Sequence, residues 1–378
     1  MASLVAEGAK IGDRSPIGRQ HPQTLARLHL AQRPVGAQHR QRAVHALHVQ
    51  QGFTHVPIVI AALWRGNPQL EQICFGIHVA DMVRHRIGID LGGTKIEIAV
   101  LGAGNELTLR RRVPTPLAYG DVLAAIAVLV HEAEGELGGP ATVGIGIPGV
   151  ISPATGRVKN ANSLALNGHV FDHDVSGSLD REVRIENDAN CFALSEATDG
   201  AGAGLSNIFG VILGTGCGGG IVIDGRVRAG RHRIAGEWGH TPLPWPSTEE
   251  FPGRACWCGR SGCLETYLSG PGLAVDGPGC PAADLPGLAA AGDAQAQAAL
   301  DRHVDRLARG LAVIIDILDP DAIVLGGGLS NMAHLYEHLP KLLDRHVFTD
   351  VCDTPVLKNR HGDSSGVRGA AWLWPAGS

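Results

Sequence analysis

From Ile87 onward, short apolar runs alternate with glycine-rich breaks. Ile87 to Val100 reads IGIDLGGTKIEIAV, with apolar side chains at every second position before and after the glycines. A period of two marks a strand with one buried face, so the pattern predicts two strands joined by a tight turn at Leu91-Gly92-Gly93-Thr94. Phe209 to Ile223, FGVILGTGCGGGIVI, repeats the plan around Gly214-Thr215-Gly216-Cys217-Gly218-Gly219-Gly220. Between these units, Arg184-Ile185-Glu186 predicts a short strand ending at Glu186, and a helix is expected to begin near Asn187 or Asp188. Residues 1–81 show neither period.

Composition sharpens that break. Residues 1–81 carry eight Lys/Arg against four Asp/Glu, a net +4 within a chain of net −5, so the remainder carries −9. They are rich in His, Gln and Pro, and are read either as an extension without stable order, as a DNA-binding module, or as translated sequence ahead of a true start at Met82. No pair of short amphipathic helices around a tight turn supports the second of these. The 378 residues suggest two domains or one two-lobed enzyme. An acidic remainder offers no footprint for nucleic acid or an anionic membrane. The longest apolar run, Val56 to Trp64, is too short to cross a bilayer. A cytoplasmic protein is expected. Of the eight cysteines, three fall within eight residues, which suggests a metal site rather than a disulfide framework.

The chemistry concentrates at four places. Gly92 and Gly93 let backbone N–H groups converge on a phosphate, with Thr94 and Lys95 adding a hydroxyl and a cation. Asp90, ending the first strand, suits a water-bridged magnesium ion. A plain hairpin would read the same, but Gly214-Thr215-Gly216 in a second strand–turn–strand unit favours two lobes sharing one polyphosphate. Asp188 sits where a helix begins: it is either a simple N-cap or a carboxylate able to take a proton from an attacking hydroxyl. Cys256, Cys258 and Cys263, in C-x-C-x4-C, with His240 sixteen residues earlier, match a closed tetrahedral zinc site. Glu237 and Glu265 frame that knuckle as paired acceptors for vicinal sugar hydroxyls.

Assembled, these motifs resemble the ROK family of bacterial sugar kinases and repressors, from about Arg86 to Pro375. IDLGGTK through Asp90 to Lys95 is similar to the family's phosphate loop, and Asp188 within ENDAN to its catalytic aspartate. The ExGH element matches Glu237 to His240, and CxCGxxGCxE matches Cys256 to Glu265. The resemblance implies a two-lobed actin/hexokinase-type (ribonuclease H-like) α/β fold with a structural zinc knuckle. Its lobes are expected over 82–190 and 191–378, with the last helix returning to the first lobe. It further implies a kinase using ATP, Mg²⁺ and Zn²⁺, with adenosine near Gly326, Gly327 and Gly328, and a homodimer. The hexose is expected against Asn187, Glu237, His240, Glu265 and, less centrally, Asn162. Three stretches, VKNANSLALNG, GEWGHTPLPW and HGDSSGVRGAAWLWP, resemble fructokinases of the family. Fructose is therefore the expected sugar, with N-acetylglucosamine, mannose and glucose as alternatives and a sugar-sensing regulator as the rival of another class.

Overall fold

The computed structural model describes residues 85–161 and 165–375. The expectations for residues 1–81, for a start at Met82 and for Asn162 lie outside the described residues.

Two five-stranded sheets carry the fold. The first is built from β1 (Arg86–Leu91), β2 (Lys95–Leu101), β3 (Leu107–Pro114), β4 (Thr142–Ile147) and β7 (Val183–Asn187), in the order β3-β2-β1-β4-β7. The second is built from β8 (Asn207–Leu213), β9 (Cys217–Ile223), β10 (Arg226–Val227), β11 (Ala322–Gly326) and β12 (Val356–Lys358), in the order β10-β9-β8-β11-β12. In each sheet the first three strands in the chain pair antiparallel as a meander, the fourth pairs parallel with the first, and the fifth pairs parallel with the fourth. The two halves are thus one topology used twice. A small hairpin of β5 (Val150–Ile151) and β6 (Val158–Lys159) leaves the first sheet beyond β4.

The predicted periods account for the strands. Ile87, Ile89 and Leu91 of β1 and Ile96, Ile98 and Val100 of β2 form one apolar core with Val122, Ile126, Leu129, Val130 and Ala133 of helix α1 (Tyr119–Leu137). That helical spacing of three to four is the stripe expected of a helix lying on a sheet. Helix α2 (Phe171–Leu179) adds Phe171 and Val175 to the same core. In the second half, short helices α4 (Glu265–Leu268), α5 (Gly270–Ala274) and α6 (Leu285–Ala290) pack with the long α7 (Ala294–Leu318) and with α8 (Ala333–His346) around a second core.

Helix α3 (Asp188–Thr198) and helix α9 (Ser365–Trp372) lie between the sheets. Their backbones approach so closely that glycine is required at several contacts. A Cβ on Gly210 would meet Ala193 at 2.7 Å, and one on Gly220 would meet the Ala189 carbonyl oxygen at 2.5 Å. On the other side, a Cβ on Gly369 of α9 would collide with the Cys191 carbonyl. The same holds for Gly88 of β1 against Val367 and Gly144 of β4 against Ala370, so α9 is seated directly on the first sheet.

Gly88→Ala should therefore cost about 3 kcal/mol, the upper part of the overpacking range, because the obstacle is backbone that no rotamer change can move. Gly135→Ala, in α1 with open space around it, should instead be neutral or stabilise by up to about 1 kcal/mol. Thermal melts of the two variants beside wild type check the contrast.

Candidate functional site

Strand β7 runs directly into α3, and the junction is held by its own side chains. Asn187 is the N-cap: its Oδ1 accepts from the backbone N–H groups of Ala189 (3.0 Å) and Asn190 (3.3 Å). Its Nδ2 donates to the Gly149 carbonyl at 3.3 Å, fixing the turn between β4 and β5. Glu186 accepts from the Asn187 N–H (2.9 Å) and from Asn190 Nδ2 (3.1 Å). Asp188 is therefore the first residue inside the helix, and the cap reading of its position belongs to Asn187. Its Oδ1 accepts from Ala189 N at 2.8 Å.

The Asp188 carboxyl is raised from 3.8 to about 7, first by burial, then by the neighbouring Asp90 charge, with Glu237 adding to the same effect. Asp90, at the end of β1, is raised to about 6 by burial and by Glu97, against the pull of Lys95 and Arg112. Two crowded carboxylates and a third nearby are costly unless cations or protons enter with a ligand.

The first glycine turn, residues 92–94, is clipped by Gly92 N–H to the Lys95 carbonyl (2.9 Å) and by the Thr115 hydroxyl to the Gly92 carbonyl (2.7 Å). Gly93 and Thr94 are exposed. Lys95 Nζ lies 3.6 Å from the buried Glu97. Glu97 also pairs with Arg110 and Arg112, which reach onward to Asp363 just before α9. The second turn, Gly214 to Gly216, is closed by Gly214 N–H to Gly216 O (3.0 Å) and takes the Gly270 N–H at 2.7 Å. Gly327 has φ +79°, and a Cβ there would enter the Leu213 carbonyl, so the segment Gly326 to Gly328 abuts the second turn.

The knuckle is assembled against β9. Trp238 Nε1 donates to the Gly218 carbonyl at 2.9 Å, anchoring Glu237 and His240 on one short helical turn. Leu264 N–H to Thr241 O (2.9 Å) and Leu243 N–H to Gly262 O (2.8 Å) lace that segment to the cysteines. Gly259 and Gly262 have φ of +87° and +76°, the left-handed conformation the tight loop requires. One ligand atom from each of His240, Cys256, Cys258 and Cys263 lies within 4.8 Å of every other. Cys256 Sγ to His240 Nδ1 and Cys258 Sγ to Cys263 Sγ are both 3.6 Å. Bonds of about 2.3 Å to sulfur and about 2.0 Å to nitrogen in a tetrahedron put ligand atoms about 3.6–3.8 Å apart. The donor set and its spacing therefore fit zinc.

Glu265 opens α4 with both oxygens engaged: Cys217 N–H donates to Oε2 (2.9 Å) and Trp257 Nε1 to Oε1 (2.6 Å). Burial raises the Glu237 carboxyl, with His240 and Lys159 opposing and Glu265 reinforcing. Asp90, Asp188, Glu237, His240 and Glu265 thus form one continuous electrostatic neighbourhood. Sequence reading did not single out Trp257, whose ring nitrogen orients Glu265, or Lys159, the cation facing Glu237. Lys159 stood in the quoted VKNANSLALNG stretch as its one basic residue; Trp257, between two cysteines, carried no signal of its own.

Two α/β halves of one topology, with a helix-start carboxylate between two glycine turns, define the actin/hexokinase-type fold. The model described as "ROK family" matches residues 86–376, and the chain belongs to that family. It is similar to an N-acetyl-D-glucosamine kinase of Escherichia coli O157:H7, 43% identical over 297 residues that cover 76% of this chain and 98% of that one. Among solved structures it is similar to a ROK hexokinase from Thermus thermophilus, at TM-score 0.68 and 32% identity, covering 76% and 96% of the two chains. It is also similar to a ROK family glucokinase from Streptomyces griseus in complex with glucose and AMPPNP, at TM-score 0.63 and 28% identity, covering 76% and 98%. The chain is a sugar kinase of this family. Among the described residues, no helix is long and apolar enough to cross a membrane.

The raised Asp188 carboxyl has a consequence for stability that is independent of turnover. An unfolded aspartate titrates near 3.8 and this one near 7. Stability contributed by the group is full below the unfolded value and is lost as pH rises through about 7, where the folded state carries a buried, repelled charge. Asp188→Asn should therefore raise the Tm above wild type at pH 8.5 by several degrees, and by clearly less at pH 5. A difference that does not change with pH would show that the carboxyl is not perturbed.

Proposed function

We propose that the protein transfers the γ-phosphoryl group of ATP to N-acetylglucosamine, with Asp188 as the general base. The observation that carries this reading is the helix-start Asp188, raised to about 7 between two glycine turns, in a chain 43% identical to nearly the whole of an N-acetyl-D-glucosamine kinase. Fructose rests only on short flanking stretches, whereas this likeness extends over 297 residues.

In this reading the glycine turns at 92–94 and 214–216 receive the phosphates and Gly326 to Gly328 the adenosine. Asp90 would hold Mg²⁺ through water, and the ion would supply charge neutralisation at the phosphates. Glu237 and Glu265 accept from sugar hydroxyls, and His240, whose Nδ1 faces the cysteines, donates to one from its Nε2–H. Asn187, whose amide already bonds at both ends, contributes its second Nδ2 hydrogen. Asp188 takes the proton from the attacking hydroxyl; most of the remaining acceleration is positioning and charge. A base must be ionised to act, so its raised pKa places the acid limb of the rate near pH 7 rather than near 4. His240, Cys256, Cys258 and Cys263 would hold one structural Zn²⁺ and so fix the loop that aims Glu237 and Glu265.

ADP release should be followed with N-acetylglucosamine, fructose, mannose and glucose side by side. N-acetylglucosamine should give the highest kcat/KM; a clear preference for fructose would restore that sugar and overturn this one. Asp188→Asn should lower kcat by about 10²–10⁴-fold with sugar affinity little changed. Retention of more than about a tenth of the rate would remove Asp188 as the base. Cys258→Ser should lose the zinc found by elemental analysis of the wild type and raise the sugar KM. Full activity in the metal-free variant would separate the knuckle from the sugar site.

A further inference from the structure

The knuckle carries one large side chain that burial does not explain. Trp257 stands between Cys256 and Cys258 and is 69% exposed. An indole so open removes little apolar surface from water, so packing does not account for its presence. What it contributes is directional. Its Nε1–H donates to Glu265 Oε1 at 2.6 Å. Its ring meets the His240 ring edge to face, with 5.0 Å between centroids and 84° between planes. Trp257 therefore touches both of the residues that the knuckle brings to the sugar in the reading above.

Glu265 has a specific need for that contact. The last torsion of a glutamate, which turns the carboxylate plane, is broad rather than held in a staggered well. Cys217 N–H fixes Oε2 at 2.9 Å, but a single bond leaves the plane free to pivot. The indole N–H holds the other oxygen and so sets the plane. Each carboxylate oxygen has about two acceptor positions, so both can still take a sugar hydroxyl while held. The donor is itself well placed. Only χ1 and χ2 separate it from a backbone that Cys256 N–H to Arg260 O (2.8 Å) and Gly259 N–H to Cys256 O (3.0 Å) close into a tight loop.

Resting on the reading of Glu265 as a sugar ligand, we infer that Trp257 is a positioning residue for the hexose, holding the Glu265 carboxylate in the plane that the sugar hydroxyls meet. A carboxylate left to pivot must be ordered when the sugar arrives, and that cost falls on sugar affinity. Phosphoryl transfer at Asp188 does not pass through the indole.

A double-mutant cycle tests this, with whichever of the four hexoses above the wild type turns over best. Trp257→Phe should raise the KM for that sugar about 3–10-fold, the worth of one hydrogen bond at an open site, with kcat and the KM for ATP changed less than about twofold. Glu265→Ala should raise the sugar KM further. Trp257→Phe added to Glu265→Ala should then change it less than about twofold, because the effect of the indole passes through the carboxylate. Zinc content by elemental analysis should match wild type in all three variants, which separates a lost aim from a lost knuckle. If Trp257→Phe loses zinc, the benzothienyl analogue of tryptophan at position 257 keeps the ring, replaces the N–H by sulfur and carries the same expectation. An unchanged sugar KM without the N–H, or effects that add in the double variant, would overturn the positioning role alone. An unchanged sugar KM in Glu265→Ala would instead remove Glu265 as a sugar ligand, and the parent reading of the site would fail first.

Discussion

The structure depends on one constraint: α3 must lie almost in backbone contact with both halves of the molecule. Gly210 and Gly220 admit it on the second sheet, while Gly146 of β4 leaves room for the Cys191 side chain and Gly369 of α9 for the Cys191 carbonyl. Interiors are close-packed and transmit strain rather than absorb it, so a helix seated this tightly has little freedom to shift along its axis. Asp188 is its first residue. Its position is therefore set by packing over the whole helix together with the Asn187 and Glu186 hydrogen bonds at its start. The far end of α3 is secured as well. Buried Glu196 accepts from the backbone of Ala201 and Arg360 and from the Ser365 hydroxyl, joining the C-terminal turn of α3 to the start of α9.

Against that rigid centre, the site holds unfavourable electrostatics. Asp90, Asp188 and Glu237 are all raised, with burial as the largest cause for each. Cations are present but committed: Lys95, Arg110 and Arg112 surround Glu97, and the two arginines also meet Asp363. The arrangement leaves a net demand for positive charge near Asp90, which the proposed metal–nucleotide complex would supply. A carboxyl poised near neutrality can hold a proton in the resting enzyme and shed it when charge arrives, which suits the task of a base better than a permanently ionised group does.

What the sequence made legible follows from which interactions are local. The period-two runs, the glycine turns between them and the helix start at ENDAN are decided by neighbours in the chain, and they occur where the patterns put them, except that the second turn ends at Gly216: Cys217 to Gly220, expected in the turn, pair with β8 as the start of β9 because glycines there admit α3. The knuckle was legible because four soft ligands at that spacing have few other uses. The shared strand order of the two halves was not, because the parallel pairs β1–β4 and β8–β11 join segments separated by a whole helix or more. Nor was the cap assignment: Asn187 and Asp188 both suit an N-cap, and the choice lies in where β7 ends and where the Gly149 carbonyl waits. Trp257 was invisible for the same reason, since its partner on Glu265 is made by a fold in the knuckle.

Sugar identity is the hardest reading because it depends on the smallest structural difference. Sequence stretches such as GEWGHTPLPW hold Glu237 and the His240 that also joins the knuckle, residues proposed to meet hydroxyls that hexoses share. They therefore carry little information about the substituent at one ring carbon. Discrimination belongs to groups just outside that shared set. A hydrogen-bonding subsite rejects a sugar that leaves its polar groups unpaired far more strongly than an apolar wall rejects one methyl group.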